Sequence, residues 1–174
     1  ELLEAYWVSR KYHHTMSSAL LCALHAALGE IDAEGLDTRW ARHERHHRQL
    51  ATALASRGWS FLPDAASRAW SLNAVRVPDG VDDANVRRRL LTEHRIEIGA
   101  GLGPLAGKIW RFGLMGYSCR PDNVMLCLSA LGSVLEDMGY AVHVGDAEAA
   151  AHAAYASMHN TEAAAKKRKT AKAA

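Results

Sequence analysis

The spacing of apolar residues changes at Gly58, and this change limits the fold more than any other feature of the chain. Before Gly58, apolar residues recur at intervals of three and four, which predicts two consecutive amphipathic helices. The first helix is predicted from Ser17 to about Ala33, with Ser17 or Ser18 as its N-cap. Gly35 ends it, because glycine tolerates the left-handed backbone found after many helices.

The second helix is predicted to begin near Asp37 or Thr38 and to end at Gly58. Its apolar stripe also carries histidines; the members are Trp40, His43, His47, Leu50 and Leu54. After Gly58, four short runs read as strands, and they are "WSFLP", "AWSLNAVRVP", "RIEIGA" and "KIWRFGLM".

Two more helices are predicted among these strands. One is capped by Asp82 or Asp83 and faces inward with Val86, Leu90 and Leu91. The other begins at Pro121 and places on one face Val124, Leu128, Leu131 and Leu135. Helices interleaved with short strands indicate an α+β fold, in which a small sheet is covered by helices.

Charge and cysteine content exclude some broad classes of protein. The net charge is +2, and much of it comes from the C-terminal "KKRKTAKAA", so nothing points to a nucleic-acid partner. No apolar stretch is long enough to predict a membrane span, and "ELLEAYWVSRK" does not resemble a signal peptide. The cysteines, Cys22, Cys119 and Cys127, form no CxxC pair, which favours reduced thiols and a cytoplasmic protein.

The motif "HERHH" in the second helix has the HExxH spacing of zinc proteases at His43, Glu44 and His47. Neighbouring arginines oppose a divalent cation there, and the glycine and third histidine of the extended motif are replaced by Leu50 and Ala53. We therefore predict no metal site.

The glycine-rich stretch from Gly101 to Gly116 contains five glycines and suggests a phosphate loop. Its spacing fits neither the Walker motif nor GxGxxG, and Lys108 has no evident chemical role. Arg111 lies within an otherwise apolar strand, where alternation places Ile109, Arg111 and Gly113 on one face. Its planar fork suits a carboxylate, although a solvated or ion-paired structural arginine fits the same pattern.

The segment "KYHHT" places Tyr12, His13, His14 and Thr15 just ahead of the first predicted helix. Hydroxyl groups near a helix N-terminus can bind a phosphate or another anion, and they can equally serve as simple caps. The residues alone leave both interpretations open.

Five motifs follow one another along the chain, and they are "YHHT", "RWARH", "VRVPDGVD", "RIEIGAGLGPLAGKIWRFGLMG" and "RPDNV". In this order they resemble the C-terminal part of class V aminotransferases, and the resemblance runs from about Tyr6 to about Gly139. The similarity is greatest to the alanine–glyoxylate and serine–glyoxylate group. It implies the small domain of the fold type I aminotransferases, a short, mostly antiparallel sheet preceded by a long helix. We expect a linker and cofactor segment over residues 1–16, this domain over 17–144 and an alanine-rich basic tail, a frayed helix or disordered, over 145–174.

The resemblance also implies roles for three residues. Arg111 matches the arginine that holds the substrate carboxylate, and Tyr12 and Thr15 match residues that reach the phosphate of pyridoxal phosphate in the partner subunit of a homodimer. The substrates implied are an amino acid, alanine or serine, and a 2-oxo acid, glyoxylate or pyruvate. His13 and His14 match without an assigned role.

The family's Schiff-base lysine has no counterpart here, since Lys11, Lys108 and the tail lysines lie in other contexts. We therefore expect the catalytic lysine upstream of Glu1 and no catalytic residue in this chain. The alternatives are a catalytically silent dimerisation or binding domain and, through HExxH, a zinc hydrolase.

Overall fold

The computed structural model describes residues 1–10, 15–143 and 145–157. The chain forms two compact units, Glu1–Arg39 and Trp40–Ala174. No helix among the described residues is long and apolar enough to cross a membrane.

The first unit contains α1 (Leu2–Trp7) and α2 (Ser18–Glu34). The predicted N-cap is confirmed, because the Ser17 hydroxyl accepts a hydrogen bond of 3.3 Å from the Leu20 backbone N–H. Gly35 ends α2 with a φ of +78°, as its position in the sequence predicted. No residue of α2 is buried, and its exposed apolar side chains include Leu20, Leu21, Leu24 and Leu28.

The helices of the second unit cover one face of its sheet. α3 (Leu36–Ser56) begins in the first unit, and α4 (Asp83–His94) and α5 (Pro121–Asp137) follow. The core combines apolar side chains of α3 and α5 with those of the sheet, and its largest buried members include Leu50, Leu54, Val75, Trp110, Leu128 and Leu131. The predicted inward face of α5 is confirmed, since all four of its residues are buried.

The sheet has three antiparallel strands, β1 (Leu72–Arg76), β2 (Gly99–Ala100) and β3 (Ile109–Gly113), in the order β1-β3-β2. β3 therefore pairs on both sides. Ala74 of β1 and Gly99 of β2 both lie opposite Arg111. The arrangement confirms the predicted α+β class with a short antiparallel sheet and helices on it.

Two predicted strands are wrong in extent. In "WSFLP" only an isolated bridge from Phe61 to Val75 forms, because Pro63 has no N–H to continue a ladder. In "RIEIGA" only Gly99–Ala100 pairs as a strand, because Arg95 adopts a left-handed conformation, φ +60°, and caps α4. Leu91, predicted to face inward, is 48% exposed.

The beginning of the alanine-rich stretch is ordered. Residues 146–157 form a helix, α6, and Ala147 and Ala151 of this helix belong to the buried core. Small side chains let a helix approach the core closely, which explains why a stretch poor in large apolar residues still packs. The division of the chain into a linker and cofactor segment, a small domain and a tail, with boundaries at residues 16 and 144, remains a prediction.

Candidate functional site

The two faces of β3 differ in character. Trp110, Phe112 and Leu114 point into the core, and each is at most 6% exposed. Ile109, Arg111 and Gly113 alternate with them and lie on the opposite face, as the sequence predicted. Because β3 is the central strand, Arg111 lies in the middle of that face, which we call the open face.

One hydrogen bond fixes the Arg111 side chain. Its Nε donates to the backbone carbonyl of Ala100 at 2.7 Å. No carboxylate of the described residues forms an ion pair with its guanidinium, so the structural ion pair considered from the sequence is absent from this part of the chain. The two residues directly opposite it in the sheet are small, Ala74 on β1 and Gly99 on β2. A half-buried arginine fork among small residues can accept a planar anion such as a carboxylate.

The glycines before β3 shape the loop that leads to this strand. A Cβ on Gly101 would lie 1.9 Å from the Leu105 carbonyl oxygen, so only glycine fits this position. Gly103 and Gly107 have φ values of +54° and +72°, which other residues adopt with strain. The glycine spacing therefore serves loop closure. Lys108 is exposed at the end of this loop.

On the core side of β3, the buried carboxylate of Asp83 forms a hydrogen bond with the strand, and this contact was not predicted from the sequence. Asp83 Oδ1 accepts a hydrogen bond of 2.9 Å from the indole Nε1 of Trp110. The same carboxylate accepts two hydrogen bonds from Arg87, from Nε at 2.8 Å and from Nη2 at 3.1 Å. The predicted cap of α4 was Asp82 or Asp83, and in the structure it is Asp82. The signal available was the spacing of four residues between Asp83 and Arg87.

The predicted cofactor segment is only partly described. Tyr12, His13 and His14 lie outside the described residues. Thr15 is exposed and immediately precedes the short segment that leads to the N-cap Ser17. Thr15 belongs to the first unit and Arg111 to the second. An exposed hydroxyl is a suitable donor to a phosphate oxygen, so the chemistry of Thr15 fits the group that the resemblance implies.

The HExxH residues are engaged in other contacts. His47 Nδ1 lies 2.5 Å from Asn73 Oδ1 of β1, which ties α3 to the sheet. Glu44 accepts two hydrogen bonds from Arg48, one turn along the helix. Among the described residues, no group of three or more His, Cys, Asp or Glu side chains could hold a metal ion.

His46, next to this motif, is a buried histidine with a lowered pKa. Burial is the main cause, the hydrogen bond to Gln49 opposes it, and the nearby charges of Arg45 and Arg42 lower the pKa further. The folded protein therefore holds His46 neutral at a pH where the unfolded chain, with a pKa of about 6.5, begins to bind a proton.

We expect the free energy of unfolding to decrease as the pH falls below about 6.5, because only the unfolded state then takes up this proton. His46→Gln removes that contribution, so its melting temperature changes less between pH 7.5 and pH 5.5 than that of the parent chain. Thermal unfolding followed by circular dichroism at both pH values measures the difference. Parallel losses in the two proteins would contradict the role of His46.

Comparisons with known proteins identify the family to which the chain belongs. No family model matches the chain. The chain is 40% identical over 150 residues to (S)-ureidoglycine–glyoxylate transaminase of Bacillus subtilis, which covers 86% of this chain and 36% of that protein. It is 33% identical over 140 residues to alanine–glyoxylate aminotransferase of Drosophila melanogaster, which covers 78% and 36%.

A crystal structure of ureidoglycine–glyoxylate aminotransferase from Bacillus subtilis matches this fold with a TM-score of 0.81 and 40% identity, over 88% of this chain and 40% of that one. The chain therefore belongs to the class V aminotransferases of fold type I, whose members use pyridoxal phosphate, and corresponds to their C-terminal domain. It spans about a third of the length of the relatives it matches.

Proposed function

We propose that the chain is the substrate-clamping part of a pyridoxal-phosphate transaminase that moves an amino group from alanine or serine to glyoxylate or pyruvate. The observation that carries the proposal is Arg111, held by Ala100 in the middle of the open face with an alanine and a glycine directly opposite it. Glyoxylate stands in the names of both relatives described above, which supports it as the acceptor.

In this proposal Arg111 binds the α-carboxylate of either substrate through two parallel hydrogen bonds and so fixes the orientation of the reacting carbon. The open face leaves the carboxylate free to approach, because no side chain larger than a methyl group lies directly opposite Arg111 on β1 or β2. Pyridoxal phosphate, when bound, supplies the electron sink for the reaction. Thr15 and Tyr12 would each donate a hydrogen bond to the phosphate of the cofactor that the partner subunit of a homodimer holds.

The catalytic lysine is expected in a part of the enzyme that precedes this chain. Lys108 does not take its place, because it is an exposed residue of the loop before β3. Catalysis would then need the complete gene product, and this chain by itself would orient substrate without reacting with it. The cytoplasmic location remains a prediction.

An assay of the complete gene product tests the proposal. The purified protein is loaded with pyridoxal phosphate and incubated with glyoxylate and each of alanine, serine and ureidoglycine, and glycine is measured. We expect glycine to form with alanine or serine at least tenfold faster than with ureidoglycine, and the reverse preference would contradict the proposed donor. No glycine above the protein-free control with any of them, together with no alanine when pyruvate replaces glyoxylate and serine or ureidoglycine is the donor, would overturn the proposal.

A second experiment tests whether this chain contains a Schiff-base lysine of its own. The 174-residue chain is mixed with pyridoxal phosphate, reduced with borohydride and examined by peptide mass spectrometry. We expect scattered, substoichiometric modification of exposed lysines. One lysine modified stoichiometrically would place a Schiff-base residue in this chain and contradict the proposed division of roles.

A further inference from the structure

Gly99 lies directly beneath the side chain of Arg111. A Cβ built on Gly99 would approach the Arg111 Nε at 3.2 Å, its Cβ at 3.3 Å and its Nη2 at 3.3 Å. These distances are shorter than ordinary van der Waals contacts, so the arginine would have to move by a few tenths of an ångström. The backbone of Gly99 does not have a positive φ, and its conformation alone does not require glycine.

The next residue supplies the bond that orients the fork. Ala100 belongs to the edge strand β2, and its carbonyl accepts the Nε–H of Arg111 at 2.7 Å. This leaves the two Nη groups as the remaining donors of the guanidinium. Because the guanidinium is planar, one fixed Nε–H sets the plane and the direction of both Nη groups.

We propose that Gly99 and Ala100 are positioning residues for Arg111, and that they direct a substrate carboxylate to bind end-on, through Nη1 and Nη2 and not through Nε. The inference rests on the proposed function, in which Arg111 binds that carboxylate. Gly99 has no side chain, so the Arg111 side chain can lie close against β2. This close packing brings the Arg111 Nε within hydrogen-bonding distance of the Ala100 carbonyl.

The physical consequence is a strong dependence of carboxylate binding on the size of residue 99. Gly99→Ala lifts the guanidinium and lengthens the bond to Ala100, so both Nη groups lose their common direction. We expect the affinity for a carboxylate to fall about tenfold, since small displacements of an orienting group have effects of this order. Gly113→Ala is the matched control, because its Cβ would meet only the flexible end of Met115, at 3.2 Å.

The test uses nuclear magnetic resonance on the isotopically labelled 174-residue chain. The Arg111 Nε–H signal is identified by its loss in Arg111→Lys, and Arg76, exposed on the same face, is the reference. The exchange of this proton with water reports the bond to Ala100. Titration with acetate and with pyruvate, at constant ionic strength against sodium chloride, reports carboxylate binding.

In the parent chain and in Gly113→Ala we expect the Arg111 Nε–H to exchange at least tenfold more slowly than that of Arg76, and acetate to shift the Arg111 signals in a saturable manner. In Gly99→Ala we expect the protection to be lost and the acetate affinity to fall about tenfold. In the Arg111→Lys background, Gly99→Ala should leave acetate binding unchanged. A merely structural role of Gly99 would instead lower stability equally in both backgrounds.

Two failures are distinguishable. If acetate binds at Arg111 but the Nε–H exchanges as fast as that of Arg76, or if Gly99→Ala binds acetate as tightly as the parent chain, the positioning role is overturned and the proposed function stands. If neither acetate nor pyruvate shifts Arg111 more than chloride does, the carboxylate contact of the proposed function is overturned, and the positioning role fails with it.

Discussion

Arg111→Ala is expected to lower kcat/KM of the complete gene product by roughly 10²- to 10³-fold for every carboxylate substrate. The loss of one partner from a buried charge pair costs about 2–5 kcal/mol, and each 1.4 kcal/mol is about a factor of ten. The side chain contributes little to the fold, because within the described residues its one hydrogen bond is to the Ala100 carbonyl on the open face. Steady-state kinetics with glyoxylate, together with a melting curve, measures both effects.

Arg76→Ala is the matched control for this variant. Arg76 lies on the same face of the sheet, at the end of β1 opposite Ile109, and is exposed. Its removal should leave kcat/KM within about twofold of the parent value, as expected for a surface charge away from the site. Near-normal efficiency of Arg111→Ala would contradict the assignment of Arg111 as the carboxylate-binding residue.

Asp83→Ala is expected to cause the largest loss of stability, about 3 kcal/mol in the free energy of unfolding. The substitution leaves the indole N–H of Trp110 without its acceptor and Arg87 without its ion pair. Trp110 is fully buried, so its indole N–H cannot form a hydrogen bond with water instead. An unsatisfied buried donor costs about 1–3 kcal/mol, and the loss of the pair with Arg87, whose side chain is 28% exposed, adds a smaller amount. Denaturant unfolding of the chain measures the loss.

Two further variants separate the contributions at Asp83. Asp83→Asn keeps an acceptor for Trp110 and should lose less stability than Asp83→Ala. Asp137→Ala removes a carboxylate that pairs with Arg89 but is 60% exposed, and it should cost less than about 1 kcal/mol. Equal losses for Asp83→Ala and Asp137→Ala would show that the bond to Trp110 contributes nothing to the fold.

The helices could be predicted from the sequence because their limits depend on local chemistry. Ser17 caps α2 and Asp82 caps α4 through hydrogen bonds to the next turn. Pro121 begins α5 because its fixed φ suits the first helical position, where no N–H is needed. Gly35 ends α2 for an equally local reason, its positive φ. These signals act over four or five residues, and the structure follows them closely.

The strands and the details of the site depend on residues far apart in the sequence. The length of β2 follows from the left-handed cap at Arg95, and the bond from Trp110 to Asp83 joins residues 27 positions apart. The sequence placed Arg111 on the correct face of β3 by alternation, but its bond to Ala100 and its contact with Gly99 require the register of the sheet. The glycines suggested a phosphate loop, and at Gly101 they serve a close backbone approach.

A comparison of substrates with and without a carboxylate tests the central claim most directly. In the complete gene product, kcat/KM is measured for glyoxylate and for acetaldehyde, which has the same reacting carbonyl and a methyl group in place of the carboxylate. We expect the parent enzyme to prefer glyoxylate by at least about 10²-fold, and this preference to fall to within a few-fold of one in Arg111→Ala. An unchanged preference in that variant would contradict the claim that Arg111 binds the substrate carboxylate.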